Sequence, residues 1–74
     1  MLIPDEIRFL DLYGVKYFIC WEKMKPGYSF FLKTTADYRL VQRELRRAEK
    51  YFSSTLCARP RNEFGYYGVR VWML

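Results

Sequence analysis

Thr34-Thr35-Ala36-Asp37-Tyr38-Arg39-Leu40-Val41-Gln42-Arg43-Glu44-Leu45-Arg46-Arg47-Ala48-Glu49-Lys50-Tyr51-Phe52 contains neither proline nor glycine, and its apolar residues recur at helical spacing. At 100° per residue, Tyr38, Val41, Leu45, Ala48 and Phe52 fall on one stripe. Arg39, Arg43, Arg46 and Lys50 fall on another, spaced i, i+4, i+7 and i+11 and about 140° around the axis. A threonine cap followed by Asp37 in the first turn predicts one helix over 35–52, ended by Ser53-Ser54. Glu44 can pair with Arg47, but no acid on the helix neutralises the four-residue stripe. The predicted helix has one oily face and one cationic face.

On its N-terminal side, Val15 to Trp21 is β-branched and aromatic, and Tyr28 to Lys33 alternates in the same way. Between them, Lys23-Met24-Lys25-Pro26-Gly27 has turn chemistry, so residues 15–33 predict an antiparallel hairpin. Pro4, Asp5 and Glu6 suit a first helical turn and Gly14 a helical stop, which predicts a short helix over about 4–13. On the C-terminal side, 55–59 and 68–73 read as strands, the latter with Val69, Val71 and Met73 on one face. Residues 60–67 read as a loop or distorted hairpin tip. The predicted organisation is a single α+β domain over 1–74: an N-terminal helical segment (1–14), a β-hairpin (15–33), a basic amphipathic helix (35–52), and C-terminal strands with a loop (55–74). The order α-β-β-α-β-β predicts an antiparallel sheet of three to four strands packed against the one long helix.

Seventy-four residues suffice for one core, and 51% apolar composition with 20% aromatics supplies the packing that so small a domain needs. No apolar run approaches the roughly 18 residues that span a bilayer, and Asp5, Glu6 and Arg8 break the N-terminal segment, so a cytoplasmic protein without membrane contact is expected. Histidine is absent, which removes the commonest general base and transition-metal ligand. Cys20 and Cys57 lack paired-cysteine spacing, and the chain has no phosphate-cradling glycine loop. No catalysis, metal or cofactor is expected. The net charge of +5 is segregated: residues 1–37 sum to zero, whereas 38–74 hold eight cations against Glu44, Glu49 and Glu63.

Met24-Lys25-Pro26-Gly27-Tyr28-Ser29-Phe30-Phe31-Leu32, the basic helix, and Gly68-Val69-Arg70-Val71-Trp72 together resemble a group of small bacteriophage proteins without an assigned activity. Those proteins carry a glycine-x-serine-phenylalanine-phenylalanine strand, an arginine-rich helix and a closing glycine-x-arginine-valine-tryptophan strand. The likeness covers residues 24–74. It departs at Met73, where the group usually has a basic residue, and in the aromatic-rich link before the last strand. It implies a phage or prophage origin and the strand–strand–helix–strand–strand order, and brings no activity with it.

Arginine-rich, unneutralised charge fits phosphate, so the leading expectation is a small nucleic-acid-binding accessory protein, DNA or RNA. Its candidate residues are Arg39, Arg43, Arg46, Arg47 and Lys50 on the helix, with Arg59, Arg61, Tyr66 and Tyr67 (beside Phe64) in the aromatic-basic loop. Trp21, Phe30, Phe31 and Trp72 read as core, although rings on two adjacent strands of an open sheet face would also stack bases. The alternative is a modulator of a host enzyme or defence complex that docks the same arginines on an acidic protein surface. A homodimer through an edge strand is a third expectation.

Overall fold

The computed structural model describes residues 3–74. It is an α+β protein, but its strands pair differently from the expectation. A four-residue helix, α1 (Asp5–Arg8), leads directly into β1 (Phe9–Leu12), and β2 (Val15–Phe18) folds back on it. The helix expected over 4–13 is thus a single turn followed by a strand. Phe9-Leu10-Asp11-Leu12 alternates with period two, Leu10 and Leu12 inward and Phe9 and Asp11 outward. Gly14 is the second residue of a hairpin turn instead of a helical stop: Tyr13 and Gly14 both have positive φ (55° and 82°), the mark of a type I′ turn.

That pairing removes the hairpin expected over 15–33. The chain after Phe18 makes a 3₁₀ turn (Trp21–Lys23), which buries Trp21 with its indole N–H donated to the Ile7 carbonyl at 2.7 Å. Lys25-Pro26-Gly27-Tyr28 is a tight turn, as its residues suggest, with the Tyr28 N–H donated to the Lys25 carbonyl and Gly27 at φ 90°. It launches β3 (Ser29–Leu32) toward a distant partner, β5 (Tyr66–Met73), and not back toward β2.

β4 (Leu56–Glu63) pairs with β5 along its full length through the turn Phe64-Gly65, whose φ values of 54° and 79° repeat the geometry of Tyr13-Gly14. The stretch expected to be a loop or distorted hairpin tip over 60–67 is a hairpin end whose tip is only Phe64-Gly65, the rest being strand. The resulting antiparallel sheet has the order β3-β5-β4, and the β1–β2 ribbon forms a second sheet. Within the three-stranded sheet, Leu32, Leu56, Ala58, Val69, Val71 and Met73 point to one face and are buried. Arg70 and Trp72 point to the other, in cross-strand rows with Phe31, Arg59, Cys57 and Ser29. Gly68 sits in that outer row because a Cβ there would overlap the Leu32 carbonyl oxygen and lie 2.6 Å from the Phe31 ring.

In place of one helix over 35–52 there are two of seven residues, α2 (Tyr38–Glu44) and α3 (Arg46–Phe52). Leu45 divides them: it stays right-handed at φ −76°, but ψ opens to −10° and its N–H is shared between the Val41 and Arg43 carbonyls. The cap is Asp37, whose carboxylate accepts the Arg39 N–H at 2.8 Å, not a threonine. Thr34 instead accepts the Ala36 N–H in the preceding turn. The apolar stripe holds across the break: Val41, Leu45 and Ala48 are buried in the core, with Tyr38 and Phe52 packed at its margins. Trp21 lies edge-on to Phe30 and close to Phe52, at ring separations of 5.8 and 5.2 Å. Each fully buried leucine or valine here contributes about 1.5–3 kcal/mol relative to exposure.

α2 and α3 also close the outer edge of β4. The Gln42 amide donates to the Leu56 carbonyl at 2.6 Å and accepts the Ala58 N–H at 2.9 Å, as a neighbouring strand would. A Glu49 carboxylate oxygen accepts the Leu56 N–H at 2.9 Å. By strand alternation the next residue facing this edge is Pro60, which has no N–H to offer.

Candidate nucleic-acid interface

The helical cations divide into two groups. Arg39 is bound locally: its guanidinium donates to both oxygens of Asp37 at 3.2 and 3.1 Å, the same carboxylate that caps α2. This hydrogen bonding holds the Asp37 carboxyl below its ordinary value and raises Arg39. Arg43, Arg46, Arg47 and Lys50 are exposed, and among the described residues no carboxylate lies within 4.0 Å of any of them. The expected Glu44–Arg47 pair does not form, the break at Leu45 falling between the two. Glu49, the other acid of this segment, is committed to the β4 backbone. The cationic stripe thus survives in shortened form, without Arg39.

The arginines of the β4–β5 hairpin are more entangled. Arg70 reaches across the sheet, donating to Glu63 of β4 at 2.6 Å and to the Ser29 hydroxyl of β3 at 2.7 Å. Its bond to Glu63 lowers the Glu63 carboxyl and raises the guanidinium. Arg61 lies over the Trp72 ring at 5.7 Å and only grazes Glu63, at 3.9 Å. Arg59 donates to its neighbouring Ala58 carbonyl at 2.9 Å and stands 6.0 Å from the Tyr38 ring. Phe31 and Trp72 are consequently not core like Trp21: both are half-buried on the outer sheet face, Phe31 beside Arg70 and Trp72 beside Arg61.

Tyr66 and Tyr67 stand at the hairpin's end, each 49% exposed. They face a cleft of about 410 Å³ whose far wall comes from the β1–β2 ribbon, with Tyr13, Val15 and Tyr17, and whose middle is Lys33. The Lys33 ammonium sits 3.8 Å from the centre of the Tyr66 ring, and the Tyr17 hydroxyl donates to the Lys33 carbonyl. Among the described residues no acid lines this cleft. Tyr13, 77% exposed, and Phe64, 86% exposed, occupy left-handed backbone that favours asparagine or glycine. An aromatic residue there costs of order 1 kcal/mol, and burial does not offset it.

The sequence-derived site residues therefore separate into distinct surfaces. Arg43, Arg46, Arg47 and Lys50 form one, with Arg39 tied to its cap. Arg59 and Arg61 belong to the outer sheet face, and Tyr66 and Tyr67 to the cleft. Sequence reasoning missed Tyr13, Tyr17 and Lys33; the Tyr13-Gly14 pair between two alternating stretches was the signal for the ribbon that brings them there. Cys20 and Cys57 are free thiols, and among the described residues no cluster of three or more metal-ligating side chains occurs. No helix of the described residues is long and apolar enough to cross a membrane. No protein-family model, curated protein or solved structure matches the chain.

Proposed function

We propose that this protein is a non-catalytic, cytoplasmic nucleic-acid-binding accessory factor that docks on phosphates through Arg43, Arg46, Arg47 and Lys50, with Arg59 and Arg61 as a second cationic patch. The observation that carries this reading is the exposed helical surface on which those four cations have no carboxylate within ion-pair distance among the described residues. Counterion release then sets the affinity: neutralising four phosphates gives a slope of log K against log salt of about −3.6 on duplex DNA or −2.8 on a single strand. The test is fluorescence anisotropy with labelled DNA and RNA, starting at about 50 mM salt, where such contacts are strong. Arg43→Glu with Arg46→Glu should abolish binding while circular dichroism stays unchanged. Absence of binding to both polymers at that salt refutes the proposal. A phage origin belongs to the same proposal and rests on the motifs in residues 24–74 alone.

A second reading draws on the two solvent-facing rings at the hairpin tips, Tyr13 and Phe64, a residue type enriched at protein interfaces. On that reading the arginines meet an acidic groove of a host protein. Association with one purified partner that survives nuclease treatment and is lost in the same double variant would favour it.

A further inference from the structure

We infer that the cleft between the two hairpins receives an unpaired base, so that the protein prefers single-stranded over double-stranded nucleic acid. This deepens the nucleic-acid reading and rests on it. The cleft joins rings from segments remote in sequence: Tyr13 and Tyr17 from one ribbon, Tyr66 and Tyr67 from the other. Its volume of about 410 Å³ lies within the roughly 300–1,000 Å³ of small-ligand clefts. The lining is aromatic apart from Lys33, two threonines and two aliphatic side chains.

Flat, sequence-tolerant surfaces of this kind stack on base faces, and a base offers its faces only when it is not paired. Charge chooses the occupant. Among the described residues Lys33 is the one charged group of the lining, it is exposed, and it already stands over a ring at 3.8 Å. A base inserted beside Tyr66 and Tyr67 would bring its phosphate within reach of that ammonium, with no carboxylate of the lining to oppose it. A proline-rich peptide could also pack on tyrosines, but it has no use for the lysine. Tyr13 supplies the outermost wall from a strained turn position, with its ring mostly in solvent, which suits a residue kept for contact with a ligand. The helical cations, by contrast, read only phosphate, and counterion release by itself favours the duplex with its higher charge density, so tighter single-strand binding needs the cleft.

The test measures anisotropy of a labelled 12-nucleotide single strand and of the matching duplex, for the wild type, Tyr13→Asn and Lys33→Gln. Asparagine accepts left-handed backbone, so the first variant keeps its turn; the second alters an exposed side chain only. The inference requires tighter wild-type binding to the single strand and a loss of about fivefold or more for Tyr13→Asn, the low end for one base–ring stack. It also requires a smaller loss for Lys33→Gln and duplex affinities within about twofold of wild type for both variants, the charge-reading helices being untouched. Equal wild-type affinity for both forms, or single-strand binding unmoved by either variant, overturns the inference while leaving the phosphate-binding reading in place. Saturable binding of a proline-rich peptide that Tyr13→Asn abolishes, with the single strand unaffected, overturns it in favour of a peptide site. A wild type that binds neither nucleic acid overturns both.

Discussion

Replacing Gln42 with alanine removes the amide that occupies the edge of β4, and the structure sets the size of the effect. Two hydrogen bonds disappear, one to the Leu56 carbonyl and one from the Ala58 N–H. At about 0.5–1.5 kcal/mol net for each, the loss is about 1–3 kcal/mol. Both bonds are only partly buried, and Glu49 still holds the Leu56 N–H, so the lower half of that range applies. For a domain of this size that corresponds to a drop in Tm of roughly 4–16 °C. Urea unfolding followed by tryptophan fluorescence, with Trp21 as the buried reporter, measures it directly. Gln42→Glu is the informative companion: it keeps an acceptor for Ala58 but turns a carboxylate oxygen toward the Leu56 carbonyl. It should be no more stable than the alanine variant at neutral pH and should recover relative to it as the side chain protonates. An alanine variant within about 0.5 kcal/mol of wild type, the range of an ordinary surface change, would refute the edge-closing role.

Gly68→Ala should cost several kcal/mol or prevent folding, since the new methyl meets the Leu32 carbonyl and the Phe31 ring; a Phe31→Ala background relieves only the second clash, so thermal melts of the single and double variants separate the two. Glu63, Asp37 and Glu22, the last bonded to the Arg8 guanidinium at 2.6 Å, all have carboxyl groups held below their ordinary values, chiefly by arginine hydrogen bonds, so their stabilisation is complete above the normal carboxylate range and is lost as pH falls through the depressed folded values. Glu63→Gln should flatten that acid limb in a pH series of urea melts, and an unchanged limb would show that the Arg70 bond is not what senses acid. Tyr13→Asn and Phe64→Asn should each leave Tm unchanged or raise it, by up to about 1 kcal/mol of stability, because both relieve a left-handed aromatic residue; a lower Tm would mean that the exposed rings contribute packing.

The α+β class and the buried faces were legible because they follow from periodicity. Val41, Leu45 and Ala48 recur at helical spacing, while Val69, Val71 and Met73 alternate, and both patterns end up inside. Strand pairing was not legible from the same signals. Val15–Phe18 and Ser29–Leu32 both look like strands, and Pro26-Gly27 between them is a real turn, yet the first pairs with Phe9–Leu12 across Tyr13-Gly14 and the second with Tyr66–Met73. A tyrosine or phenylalanine before glycine is an unusual entry to a type I′ turn, so the usual asparagine or aspartate cue was missing. The helix break at Leu45 has no proline or glycine to announce it; its sign is a shared N–H in the folded chain. For the site, the sequence located the charges but not their partners. Arg70 counts toward the basic excess, yet it is a cross-strand staple, and only the folded sheet brings Ser29, Glu63 and Arg70 together.

The way β4 is finished has a consequence for how copies of this chain can meet. Gln42 and Glu49 already occupy both backbone groups of Leu56 and the Ala58 N–H, Arg59 holds the Ala58 carbonyl, and Pro60 withholds the next donor, so the first half of that border resists an incoming strand. Self-association by continuous β-sheet is thereby blocked along Leu56–Pro60. Two molecules that touch there must do so through side chains, leaving a dimer by strand annealing to other borders of the fold.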